Sequence, residues 1–126
     1  LGGVTLTGDS LESFAGCAEL ENLILVNTGL DGPELAHFKN CTKLKRLELS
    51  GNPAVTNKEL GYFHNCPDLS GVILSRTNVD DEGLSFLIDC KRLTYLDIDK
   101  TNVSDDFLQS FRAKKPNCKI IGTPSG

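Results

Sequence analysis

Leu60-Gly61-Tyr62-Phe63-His64-Asn65-Cys66-Pro67-Asp68-Leu69-Ser70-Gly71-Val72-Ile73-Leu74 joins two patterns in one stretch. Its first half, Leu-x-x-Phe-x-x-Cys, has apolar residues at helical spacing. Its second half, Leu-x-x-Val-x-Leu, ends in the period-two spacing of apolar positions that marks a short half-buried strand. The same pair recurs along the chain. Leu11/Phe14/Cys17 leads into Leu20/Leu23/Leu25, Leu35/Phe38/Cys41 into Leu44/Leu47/Leu49, and Leu84/Leu87/Cys90 into Leu93/Leu96/Ile98. Leu108/Phe111 opens a last copy whose Cys118 is delayed. The first four cysteines lie 24, 25 and 24 residues apart (41−17, 66−41, 90−66). A fixed period of that size predicts stacked supersecondary units, each burying a face it cannot bury alone.

Between each strand and the next helix lies a turn with its own apolar residue. Leu30, Val55, Val79 and Val103 each precede the next helix leucine by five positions. The residue after each is Asp31, Thr56, Asp80 or Ser104, types whose side-chain oxygen can accept a free N–H of the first helical turn. Thr56 with Glu59 forms a capping-box pattern. Each unit therefore reads strand, turn, short helix of about two turns, loop. Units start near Leu1, Leu20, Leu44, Leu69 and Leu93, the first strand being Leu1, Val4 and Leu6. Unit one is short, running from Leu6 straight to Leu11, and unit three carries an extra residue near Pro53-Ala54. Unit five inserts residues before Cys118, as suits a terminal cap. The expected layout is a repeat domain over 1–121 and a flexible tail over 122–126.

The Leu-x-x-Leu-x-Leu strand, the Thr77-Asn78-Val79-Asp80 and Thr101-Asn102-Val103-Ser104 turns and the Leu-x-x-Phe-x-x-Cys helix together resemble a leucine-rich repeat of the cysteine-containing type. Arrays of that type occur in F-box substrate adaptors and in large bacterial multidomain proteins, where the last unit ends in a phrase like Pro116-Asn117-Cys118-Lys119-Ile120. The resemblance implies an α/β solenoid with a curved parallel sheet on the concave side and short helices on the convex side. It implies protein binding as the function and no cofactor.

The bulk numbers agree with that class. With 126 residues the chain is one domain, and its net charge of −4 with scattered Lys and Arg argues against a nucleic-acid surface. No run of about 18 apolar residues exists, so no membrane span is expected. One Cys per repeat at an equivalent position is expected to be a packed thiol rather than a disulfide or a zinc ligand. Reduced thiols favour a cytoplasmic setting. The chain contains no Met and starts in mid-pattern, so an excised domain or a processed fragment is expected, and it is expected to be monomeric.

Strand positions between the buried leucines form a grid on the concave face. The first column is Gly3, Asn22, Arg46, Gly71 and Tyr95; the second is Thr5, Ile24, Glu48, Ile73 and Asp97; the third is Thr7, Val26, Ser50, Ser75 and Asp99. Ile24, Val26 and Ile73 place apolar residues where solvent is expected. Arg46 and Tyr95 are types enriched as binding anchors. The candidate contact set is Asn22, Ile24, Val26, Arg46, Glu48, Ile73, Tyr95, Asp97 and Asp99. The competing explanation is that β-branched residues simply favour strands.

Catalytic and metal patterns are missing from the sequence. There is no G-x-S-x-G, H-E-x-x-H or phosphate loop, and His37 and His64 occupy non-equivalent positions. A calcium loop from Asp97 fails because its sixth and twelfth positions are Asn102 and Leu108. The acidic runs at Asp80–Glu82 and Asp105-Asp106 suit helix N-termini. The expectation is a non-enzymatic scaffold that recognises a protein partner or a domain of its own parent. The alternatives are a targeting fragment of a larger enzyme, such as a kinase or ubiquitin-ligase adaptor, and a purely architectural spacer.

Overall fold

The computed structural model describes residues 19–29 and 32–123. The expected first strand and helix (Leu1 to Cys17), the grid positions Gly3, Thr5 and Thr7, and the turn residues Leu30 and Asp31 lie outside that description. Five three-residue strands follow in order: β1 (Asn22–Ile24), β2 (Arg46–Glu48), β3 (Gly71–Ile73), β4 (Tyr95–Asp97) and β5 (Lys119–Ile121). They form one sheet in chain order, every neighbouring pair parallel. Short strands suffice because the ladder continues past them: Leu25 N–H donates to Glu48 O and Asn27 N–H to Ser50 O, both at 2.9 Å.

β5 is a strand that the unit count did not include. It lacks the leucine pattern, yet Lys119 pairs with Tyr95 at the period of 24. Backbone pairing extends past it, with Lys100 N–H donating to Thr123 O at 3.0 Å and Thr123 N–H to Asp99 Oδ1 at 3.1 Å. The backbone is thus tied through Thr123, two residues beyond the expected boundary at 121.

Helical segments pack on the other side of the sheet. Gly32–Phe38 is wholly 3₁₀. α1 (Asn57–Leu60) and α2 (Asp81–Leu84) are single α-turns that tighten into 3₁₀ over Gly61–Phe63 and Ser85–Asp89. Tightening by i→i+3 bonds suits a helix too short to gain much from α geometry. α3 (Asp105–Lys114) is the exception, a ten-residue α-helix that absorbs the insertion before Cys118. Caps sit where expected: Asp80 accepts from Glu82 N–H at 3.0 Å, Ser104 from Phe107 N–H at 3.1 Å, and Glu59 from Thr56 N–H at 2.9 Å. The extra residue of unit three forms a turn closed by Val55 N–H to Asn52 O at 3.0 Å.

The core is one column of leucines with Phe38, Phe63 and Phe111 fully buried beneath them. Cys41, Cys66, Cys90 and Cys118 are buried, and none of them forms a disulfide among the described residues. A second column is polar: Thr28, Asn52, Thr77 and Thr101 are buried at equivalent positions. Thr77 and Thr101 hydroxyls each donate to the carbonyl three residues back, at 2.7 Å. Asn52 reaches further, donating to Leu49 O at 2.9 Å and to Leu25 O at 2.5 Å in the preceding unit, while its Oδ1 accepts from Thr28. The residue before each of these, Asn27, Gly51, Arg76 or Lys100, has positive φ. At Gly51 this is combined with a close approach, since a Cβ there would overlap the Asn27 side-chain amide.

Candidate binding face

Strand register sorts the outward side chains of the sheet into rows. The first runs Asn22, Arg46, Gly71, Tyr95, Lys119, and the second runs Ile24, Glu48, Ile73, Asp97, Ile121. Val26, Ser50, Ser75 and Asp99 lie two residues beyond the second row. All nine sequence candidates thus fall on the sheet face, and Lys119 and Ile121 join them. Those two escaped sequence reading because β5 carries no leucine pattern, although adding 24 to Tyr95 and Asp97 points to them.

Exposure along this face is uneven. Ile24 keeps 40% of its surface, the one large hydrophobic so exposed among the described residues. Val26 is half-buried. Ile73, expected to be exposed, is only 6% exposed. It sits on the central strand with Glu48 and Asp97 in register on either side, and those neighbours leave it little solvent. Ile73 therefore belongs to the packing of the face rather than to its accessible surface.

Polar contacts hold several of these side chains. An Arg46 terminal nitrogen lies 3.2 Å from Glu48 Oε2. Asp97 Oδ1 accepts from Asp99 N–H at 3.0 Å, and Asp99 Oδ1 accepts from Thr123 N–H. Beside them runs an open groove of about 430 Å³ lined by Val26, Ser50, Ser75, Arg76, Asp97 and Asp99. Ser50 Oγ is buried and has no hydrogen-bond partner among the described residues. Along the sheet's lower edge, ion pairs link successive units: Lys43 with Glu19 at 2.8 Å, Lys45 with Glu21 at 3.1 Å and Arg92 with Asp68 at 3.4 Å.

A larger open cavity of about 750 Å³ lies away from the sheet, between the loops that follow the helical segments of two units. His64, Phe86, Cys66 and Cys90 contribute to it. Its thiols are poor nucleophiles: burial pushes Cys66 up to about 11 and raises Cys90 and Cys118 as well. His64 is exposed and its Nδ1 lies 2.7 Å from Gly61 O. Among the described residues no group of three or more His, Cys, Asp or Glu converges as metal ligands do. No described helix is long and apolar enough to cross a membrane.

The architecture has a solved counterpart in an internalin (InlF) from Listeria monocytogenes str. 4b F2365. The two chains are 18% identical and superpose with a TM-score of 0.75 over 100% of this chain. The fold is a leucine-rich repeat solenoid. This chain spans 33% of that internalin's length. No family model and no curated protein matches the sequence. At this identity the likeness speaks to the fold alone, so what the solenoid binds must be argued from its own surface.

Proposed function

We propose that this solenoid is a non-catalytic recognition module that binds a protein partner, or another domain of its parent polypeptide, through the concave sheet face. The observation that carries this reading is Ile24, 40% exposed in a row that continues through Glu48 and Asp97. An exposed apolar residue with charged neighbours suits a protein-binding patch, and Arg and Tyr on the same face are frequent anchors. Five stacked strands offer an extended surface of this kind, and the groove along it is open. Equivalent buried cysteines support the cysteine-containing subclass, and their lack of disulfides among the described residues supports a reducing, cytoplasmic setting.

The test is affinity capture with the wild-type domain, Ile24→Glu and the convex-side control Lys58→Glu, each checked for an unchanged melting temperature. An uncompensated carboxylate buried in a packed interface costs about 3–5 kcal/mol, so Ile24→Glu should lose the captured protein while Lys58→Glu retains it. Equal recovery by both variants would remove the concave-face reading.

A further inference from the structure

Gly71 opens β3, the central strand of the sheet, where glycine weakens a strand and offers no side chain to pack. The backbone does not require it, since the glycines with positive φ are Gly29, Gly51 and Gly122. Nor does a neighbour require it: nothing lies within 4 Å of the Cβ that a larger residue would add. Gly71 itself is buried, so the gap is open space above a covered backbone, where a side chain would stand. Arg46 and Tyr95 flank it in register, roughly 9.6 Å apart across two strand spacings of about 4.8 Å.

The first row is made of donors. Asn22, Arg46, the gap, Tyr95 and Lys119 contain no carboxylate. Arg46 uses one terminal nitrogen on Glu48, at 3.2 Å, of the five N–H donors a guanidinium carries. Among the described residues neither the Tyr95 hydroxyl nor the Lys119 ammonium is engaged. Close backbone approach is what a strand glycine permits, and a carboxylate is the group that the remaining guanidinium donors and a phenol complement.

We propose that the Gly71 gap receives an aspartate or glutamate side chain from an extended acidic segment of the protein partner. Arg46 holds one carboxylate oxygen and the Tyr95 hydroxyl donates to the other, while Glu48 keeps the guanidinium oriented. Lys119 gives the same row a further positive charge for the next acidic residue of the segment. The assignment rests on the concave-face reading and names the chemistry of its occupant.

The probes are three fluorescein-labelled dodecapeptides built of four Ser-Gly-Glu, four Ser-Gly-Gln or four Ser-Gly-Lys triplets, read by fluorescence anisotropy at low and physiological salt. The Glu peptide is expected to bind tightest, with an affinity that falls as salt rises. Arg46→Gln and Gly71→Leu should each weaken it at least fivefold, and Arg92→Gln on the lower edge should not. Because glycine weakens a strand and no atom crowds the position of an added Cβ, the variant should melt no lower than the wild type, which separates lost binding from lost folding. Equal binding of the Glu and Gln peptides, no binding of the Glu peptide, or indifference to both variants would overturn the proposal. A protein partner lost by Ile24→Glu but unaffected by Arg46→Gln and Gly71→Leu would leave concave-face binding standing and remove only the acidic occupant.

Discussion

Replacing Asn52 by alanine should destabilise this domain more than its small volume suggests. Asn52 is 1% exposed and Thr28, its partner in the preceding unit, is fully buried. Alanine removes the Leu49 O contact within the unit and the Leu25 O contact across units, together with the acceptor for Thr28 N–H and Thr28 Oγ1. The Thr28 hydroxyl can rotate to another acceptor. Three groups, Leu49 O, Leu25 O and Thr28 N–H, lose this partner where water cannot easily replace it. At about 1 kcal/mol or somewhat more for each buried group left short of a partner, the loss is about 3–4 kcal/mol. A threonine at position 52 should recover the within-unit bond, as Thr77 and Thr101 make it at 2.7 Å. That variant should lose about 2 kcal/mol. Urea unfolding followed by far-UV circular dichroism measures both, with unchanged m-values as the sign that the native state is intact. The exposed Asn65→Ala should stay within about 0.5 kcal/mol of wild type. An Asn52→Ala loss below about 1 kcal/mol, or equal losses for alanine and threonine, would refute the view that Asn52 links two units.

Two glycines in equivalent regions should respond with opposite sign. Gly61 has helical φ of −62° and open space around its added Cβ, so Gly61→Ala should stabilise by about 0.5–1 kcal/mol. Gly83→Ala should destabilise, because its Cβ would displace the Asn57 amide, which donates to Asp80 at 2.6 Å across units; thermal melts showing the same sign for both would count against this packing. Cys66 should resist thiol reagents at pH 8. Moving a thiol from 9.0 to about 11 lowers its thiolate fraction there by about a hundredfold, so a native-state rate matching a free cysteine would sink the buried-thiol assignment. The same shift has a stability consequence whose sign is fixed. The folded state holds this proton more tightly than the unfolded state, so the contribution is complete below pH 9.0 and lost as pH rises toward about 11. Stability that increased over that interval in alkaline urea titrations would contradict it.

Leucine, phenylalanine and cysteine spacing made the unit legible, because burial in a stacked array imposes the same apolar demand at every turn of the period. Caps at Thr56, Asp80 and Ser104 were legible for a similar local reason. β5 was not, since a terminal strand needs only one apolar residue, Ile120, to stay docked and shows no leucine pattern. The left-handed positions at Arg76 and Lys100 were hidden as well. Neither residue type favours that conformation, and only their alignment with Asn27 and Gly51 gives them away. Ile73 shows the limit of alternation: its direction is outward as expected, but exposure depends on the side chains of neighbouring strands, which period-two reasoning does not see. Gly71 was visible as a member of the grid, yet its meaning required knowing that neither backbone nor neighbours demand a glycine there.

The central claim is that the sheet face, not the helical side, meets the partner. Hydrogen exchange by mass spectrometry on the domain with its captured protein tests it most directly, since both faces are read in one experiment. The account predicts added protection over 22–26, 46–50, 71–75 and 95–99, with little change over 57–64, 81–90 and 105–114. Protection confined to the helical segments, with the strands unchanged, would contradict it.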